Sequence, residues 1–67
     1  MSYQDRVISE KEQLDKMIMK LNTFSSDGNE VYSVIGEKEQ LRLAEQLNYM
    51  KDYSRVLGER IAAFPTA

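Results

Sequence analysis

The second half of the chain carries one continuous stripe of mainly apolar positions. Its members recur at alternating spacings of four and three residues: Leu43, Leu47, Met50, Ser54, Leu57, Ile61 and Phe64. This is the spacing of the a and d positions of a coiled coil, which lie along one side of an α-helix. Gly36 before the pattern and Pro65 after it mark its ends, so the sequence predicts a helix over about residues 37–64.

The first half repeats this organisation on a smaller scale. Val7, Leu14 and Leu21 recur every seven residues, and Met17, Ile18 and Phe24 fall on the same side of a helix. Ser2 is suited to cap such a helix, and Asp5 would lie in its first turn, at the positive end of the helix dipole. The pattern predicts a helix over about residues 3–24.

A connector over residues 25–36 is predicted between the two helices. It begins with a run of small polar residues and a glycine, SSDGN, which is typical of a turn. The following EVYSVI has the β-branched and aromatic content of a strand, but no second strand is available to pair with it. We expect an irregular or single-turn helical connector that tucks Val31, Val34 and Ile35 under the open end of the hairpin.

Two helices joined by about a dozen residues are expected to lie antiparallel, so the predicted fold is an all-α helical hairpin forming one domain over residues 1–67. If Phe24 lies near Gln40, the first turns of the first helix meet the last turns of the second. This register brings Tyr3, Arg6, Tyr53 and Arg60 toward one end, and it places Lys20 near Leu43 and Gln46 at the other end. Gly58, inside the second helix, predicts either a close helix crossing or a local bend.

The hairpin has more apolar surface than two helices can cover. Five large apolar residues fall outside the main stripes: Ile8, Met19, Leu41, Tyr49 and Val56. A chain of 67 residues without cysteine or histidine cannot be stabilised by a disulfide or by the usual structural zinc site. We therefore expect self-association into a homodimer or homotetramer, a dimer giving a four-helix bundle, with a larger ring also open.

Composition limits the classes of function. A net charge of -2 and a pI of about 5.0 argue against a nucleic-acid polymer as partner. Without a long apolar run, neither a membrane span nor a secretory signal is expected, and the expected location is the cytoplasm. Histidine, the commonest general base, and cysteine, the commonest strong nucleophile, are both absent, so a non-catalytic protein is predicted. No sequence motif indicates a metal or another cofactor.

The cationic and aromatic residues form the one candidate site. They supply flat rings to stack a base, positive charge to neutralise phosphate and amides to read a base edge. The predicted ligand-binding residues are Tyr3, Tyr49 and Tyr53 for stacking, Arg6, Lys20 and Arg60 for phosphate, and Gln46 or Asn48 for the base edge. The alternative is purely structural, with ion pairs such as Arg6 to Glu10 or Arg55 to Glu59 and tyrosines packed at a subunit contact.

Most of the chain, from Tyr3 to Phe64, resembles a widespread family of very small tailed-phage proteins first described in a crAss-like phage. In the first helix the resemblance rests on Arg6, Val7, Glu10, Leu14, Lys20, Leu21 and Phe24. In the second helix it rests on Gln40, Leu43, Gln46, Met50, Tyr53, Leu57, Arg60 and Ile61. The connector departs from the family pattern, which more often has an aromatic-leucine turn there.

The resemblance implies an accessory protein made early in infection and located in the cytoplasm of the infected bacterium. Small helical oligomers of phages include sponges that sequester cyclic-nucleotide signals of defence systems such as CBASS and Thoeris. By this analogy, the leading hypothesis is non-catalytic sequestration of a small cyclic nucleotide between hairpins, with a cyclic dinucleotide as the expected ligand. The alternative hypothesis is an interaction module whose exposed apolar face binds and inhibits a host protein.

Overall fold

The computed structural model describes residues 2–26 and 28–65, and in these residues every regular element is an α-helix. The elements are α1 (Tyr3–Phe24), α2 (Glu30–Val34) and α3 (Glu37–Ala62). The all-α hairpin and the starts of both long helices are as predicted. Helix α3 ends at Ala62, two residues before the predicted end. Asp27, part of the predicted breaker run, lies outside the described residues.

Local hydrogen bonds explain where the helices begin. The Ser2 hydroxyl accepts a hydrogen bond from the backbone N–H of Asp5 at 3.1 Å, which is the N-cap that the sequence predicts. The Asn29 side chain caps α2 in the same way, accepting from the backbone N–H of Tyr32 at 2.9 Å. Gly36, with φ 95° and ψ 151°, makes the sharp entry into α3, in a region that only glycine occupies readily.

The connector packs differently from the prediction. The expectation that Val31 and Val34 tuck under the hairpin is wrong, because they are 59% and 78% exposed. Tyr32 takes that place, and its ring packs edge-on against Phe24 with centroids 5.8 Å apart. Its backbone carbonyl accepts a hydrogen bond from Gln40 Nε2 at 2.7 Å, which ties α2 to the first turn of α3. One helical turn can present only one side inward, and here that side carries the aromatic ring.

The core between α1 and α3 is thin. Val7, Leu14 and Leu57 are the buried apolar residues among those described, and Leu57 is 0% exposed. Partly buried side chains extend this cluster along the seam: Ile18, Met50, Ile61 and Phe64. The molecule measures 51 × 16 × 16 Å, which is one layer of two helices. All five surplus apolar residues are exposed on the single chain, as predicted.

A polar network crosses this core and was not predicted from the sequence. Lys11 Nζ donates to Asp15 Oδ2 at 2.8 Å and to Ser54 Oγ at 3.0 Å. Ser54, which is buried, donates to Asp15 Oδ1 at 2.5 Å and so closes a triangle between α1 and α3. A Cβ on Gly58 would lie 3.4 Å from Lys11 Cε, at about van der Waals contact distance, so the lysine stem passes close to α3 at this glycine. The close-crossing explanation for Gly58 is therefore the one the structure supports.

Because this network includes the Asp15 carboxylate, the stability of the fold is expected to depend on pH in the acidic range. The hydrogen bonds from Lys11 and then from Ser54 lower the pKa of Asp15 below its ordinary value. A lowered pKa in the folded state contributes stability above the unfolded pKa, and the contribution is lost as the pH falls through the folded value. We expect Asp15→Asn to lower the urea midpoint at pH 7, and we expect its difference from the wild type to shrink below about pH 4.

Asp52→Asn is the matched control, because Asp52 is an exposed aspartate of α3 outside the triangle. Urea titrations of the three proteins at pH 7 and pH 3 compare them. A difference between Asp15→Asn and the wild type that is equally large at both pH values would contradict the role of the Asp15 carboxylate.

Candidate functional site

An aromatic groove of about 400 Å³ runs along one side of α3. Its lining residues are Arg42, Glu45, Gln46, Tyr49, Met50 and Tyr53. The spacings of three and four residues place these side chains on neighbouring turns of one helix face. Two of the predicted stacking residues and one predicted base-reading amide are therefore brought together by α3 alone.

The rings in this groove are open to solvent. Tyr49 is 64% exposed and Tyr53 is 45% exposed. The Tyr49 hydroxyl donates to Glu45 Oε1 at 3.3 Å, which orients the ring without covering its face. The Gln46 amide contacts the sulfur of Met50 at 3.9 Å, a weak acceptor that a ligand oxygen or nitrogen could replace. The groove can thus offer two aromatic faces and one amide to a flat ligand.

An arginine cluster forms a second pocket, also of about 400 Å³, where the start of α1 meets the end of α3. It is lined by Tyr3, Arg6, Val7, Glu10 and Arg60. Arg60 Nη2 donates to the Tyr3 hydroxyl at 2.5 Å, and the Arg60 guanidinium carbon lies 5.8 Å from the centre of the Tyr3 ring. This pocket confirms the predicted meeting of Tyr3, Arg6 and Arg60 at one end of the hairpin.

The arginine cluster carries an excess of positive charge. Arg6 and Arg60 supply two guanidinium groups against the single carboxylate of Glu10. Of the two ion pairs expected under the structural interpretation, Arg55 with Glu59 is present, while within residues 2–26 and 28–65 no ion pair joins Arg6 to Glu10. The Arg6 guanidinium is therefore in a position to bind an anion.

Three of the predicted site residues lie outside the arginine cluster. Tyr53 lines the aromatic groove, two helical turns before Arg60 on α3. Asn48 is exposed and follows Gln46 by two residues, which turns it about 160° away from the groove. Lys20 is exposed near the end of α1, at the opposite end of the hairpin from Arg60, and it lines neither pocket.

Arg42 is the site residue that the sequence analysis missed. It lies four residues before Gln46 and seven before Tyr49, so the spacing that groups the aromatic residues also includes it. Its guanidinium donates to Glu39 Oε1 at 3.2 Å in an exposed pair, which is a weak restraint. The spacing of Arg42 from Gln46 and Tyr49 could have identified it from the sequence alone.

Comparison with protein-family models identifies the family of this chain. A protein-family model described as Sequestin matches residues 1–63 of the 67 residues. No curated protein and no solved structure matches the chain. Because the family model covers nearly the whole chain, the protein belongs to the Sequestin family. In the described residues, no helix is both long and apolar enough to cross a membrane.

Proposed function

We propose that this member of the Sequestin family is a phage-encoded, non-catalytic protein that sequesters a small cyclic nucleotide in the cytoplasm of an infected bacterium. The ligand class is a cyclic dinucleotide used as a defence signal, as in CBASS. The family name denotes sequestration, which agrees with a binding role. The chemical class of the ligand is argued from the two pockets.

The observation that carries the proposal is that Arg60 of the arginine cluster lies on the same line of α3 as the aromatic groove. Gln46, Tyr53 and Arg60 recur every seven residues, so they lie along one line of the helix. Tyr53 and Arg60 are separated by about 10 Å along the helix axis. A cyclic dinucleotide carries bases and phosphates at distances of this order, and it is both aromatic and anionic.

The groove suits the bases. Each exposed tyrosine ring can stack one base, and stacking of this kind contributes about 1–3 kcal/mol per base. The Gln46 amide can donate and accept hydrogen bonds at a base edge, which would provide discrimination among bases. Glu45 holds the Tyr49 hydroxyl and so limits the freedom that the ring would lose on binding.

The arginine cluster suits the phosphates. The Arg6 and Arg60 guanidinium groups can form charge-assisted hydrogen bonds to phosphate oxygens, and Tyr3 already positions Arg60 through its hydroxyl. Such a local cluster is compatible with an acidic chain, because a small anion senses nearby arginines more than the net charge. A long nucleic acid would meet the many carboxylates of the remaining surface.

Calorimetric titration of the purified protein with a panel of cyclic di- and trinucleotides tests the function. We expect saturable binding of at least one cyclic dinucleotide and no binding of the matching linear mononucleotides at the same concentration. Absence of heat with every cyclic nucleotide in the panel would overturn the proposal.

Exposed apolar residues outside both pockets favour a second candidate, inhibition of a host protein through the apolar face. Ile8, Met19 and Leu41 are exposed and line neither pocket. This candidate predicts that pull-down from host lysate recovers one protein at near-equal stoichiometry, and that Ile8→Ser abolishes its recovery. Equal recovery with Ile8→Ser would exclude this face as the binding surface.

A further inference from the structure

A second stripe runs along α3 beside the core seam. We call it the outer stripe, and its members are Arg42, Gln46, Tyr49, Tyr53, Val56 and Arg60. They recur at spacings of four, three, four, three and four residues, the same heptad spacing as the core seam. The core seam, which is the stripe from Leu43 to Phe64, packs against α1. Tyr49, Tyr53 and Val56 of the outer stripe are exposed. One helix therefore presents two coiled-coil surfaces, and the single chain covers only one of them.

The outer stripe is symmetric about position 51. Tyr49 and Tyr53 lie two residues to either side of this position, Gln46 and Val56 lie five residues away, and Arg42 and Arg60 lie nine residues away. Two copies of α3 packed antiparallel around a twofold axis at this position would bring matching heptad positions together. Tyr49 of one copy would lie across from Tyr53 of the other, so rings from both copies would line a shared central groove with room for bases to stack between them.

The exposed area agrees with one such contact. A compact monomer of 7.8 kDa exposes about 4,400 Å². This chain exposes 5329 Å², which is about 900 Å² more. A stable interface of standard size buries about 800 Å² on each partner. The surplus is therefore what one interface between two copies would cover.

The ends of this contact are cationic. Symmetry places Arg42 of one copy opposite Arg60 of the other, and Arg6 lies beside Arg60 in the arginine cluster. Each end would then gather three guanidinium groups from two chains against the two carboxylates of Glu10 and Glu39, which leaves one positive charge uncompensated and the guanidinium groups in mutual repulsion. A phosphate bound among them would offset the repulsion through charge-assisted hydrogen bonds.

We infer that the phosphate site is shared between two antiparallel copies, with Arg42 from one copy completing the Arg6 and Arg60 cluster of the other. This inference rests on the proposed function for its nucleotide ligand, but its anion site can be tested separately. It gives two equivalent sites per dimer, about 27 Å apart along α3. It also links ligand binding to dimerisation, so an anion that fits the site must strengthen the dimer.

Mixing two variants that each have a defective phosphate site tests whether two copies of the chain share that site. Arg42→Gln damages both ends of its dimer, and the double variant Arg6→Gln/Arg60→Gln does the same. In a mixed dimer, one end has all three arginines and the other has none. After equal mixing, we expect recovery of about one quarter of the wild-type number of sites, because about half of the dimers are mixed and each has one intact end. A site built within one chain would recover nothing.

The probes are inorganic pyrophosphate, which carries the charge without a base, and cyclic di-AMP. Calorimetry gives the number of sites and the affinity, and light scattering gives the mass of the species. We expect each probe to strengthen the wild-type dimer and Arg42→Gln to weaken binding at least about tenfold. Arg55→Gln is the matched control, because Arg55 pairs with Glu59 outside the outer stripe. Circular dichroism confirms that each variant stays helical.

The outcomes separate the two proposals. Complementation with pyrophosphate, but no binding of any cyclic nucleotide, would support the shared anion site and overturn the proposed function. Cyclic dinucleotide binding that is unchanged in Arg42→Gln would support the function and overturn the shared site. Failure of the mixed variants to recover binding, or of the wild type to bind either probe, would also overturn the shared site.

Discussion

Replacing Leu57 with alanine is expected to lower the free energy of unfolding by about 2–5 kcal/mol, since the mutation removes a fully buried side chain and leaves a cavity. Leu57 is the one residue among those described whose side chain is completely enclosed. The expected loss is a large share of the total, because a domain of this length is stable by about 3–10 kcal/mol. Urea denaturation followed by circular dichroism measures the change, with protein concentration held constant.

Ile8→Ala provides the comparison. Ile8 is also a large aliphatic residue in a long helix, but it is 38% exposed and lies outside the buried cluster. Its replacement should cost clearly less than that of Leu57, because less apolar surface is lost and no closed cavity forms. Equal losses in the two variants would show that burial in the single hairpin does not determine where its stability lies.

Replacing Tyr49 and Tyr53 together with leucine is expected to weaken cyclic dinucleotide binding by about 100-fold. Each ring is expected to stack one base, and two stacking contacts of about 1–3 kcal/mol each total about 2–6 kcal/mol, a range that includes the roughly 2.7 kcal/mol of a 100-fold change. Leucine keeps the helix propensity and the apolar character of the groove while removing the flat π surface. Calorimetric titration of the variant and the wild type measures the ratio of dissociation constants.

The matched control keeps the rings and removes the hydroxyls. Tyr49→Phe/Tyr53→Phe should bind within about threefold of the wild type, because stacking needs the ring, and the Tyr49 hydroxyl is used in a hydrogen bond to Glu45. If the phenylalanine variant lost as much affinity as the leucine variant, the tyrosines would act through their hydroxyls. If neither variant lost affinity, the groove would not be the base site.

The effect on stability expected for Leu57 and the effect on binding expected for the tyrosines come from two different faces of α3. Leu57 belongs to the core seam that packs on α1, and Tyr53 belongs to the outer stripe that the single chain leaves open. Val56, next to Leu57, is 43% exposed, because one residue turns a helix by about 100°. Stability and ligand binding can therefore be changed separately on this helix.

The sequence predicted the hairpin because its signals are local and periodic. The Ser2 cap, the seven-residue repeat of Val7 and Leu14, and the glycine before α3 each act within a few residues, and the structure shows all of them at work. Gln46, Tyr49 and Tyr53 were all predicted site residues, but Gln46 and Tyr53 were expected toward opposite ends of the hairpin. The structure places all three in one groove, on neighbouring turns of α3.

How separate segments pack against each other could not be predicted from local sequence patterns. Val31 and Val34 were expected to be covered, but apolar character does not show which side of a single helical turn faces inward. The predicted register brought Tyr53 toward the same end of the hairpin as Arg60, and the structure places it in the aromatic groove, two turns of α3 before Arg60. Ser54 occupies an apolar seam position, and its link to Lys11 and Asp15 depends on how the two helices are aligned.

The sequence alone thus determined the two long helices, their starts and the core seam of α3, since these follow from repeat spacing and capping along one chain. The tertiary structure decided that Arg6 and Arg60 meet beside Tyr3, that Lys11 crosses Gly58 to reach Ser54, and that Tyr32 closes the open end. Those contacts depend on the relative alignment of α1 and α3 and on the direction of a short connector. Side-chain packing across the hairpin fixes both, and residue spacing along one helix cannot specify them.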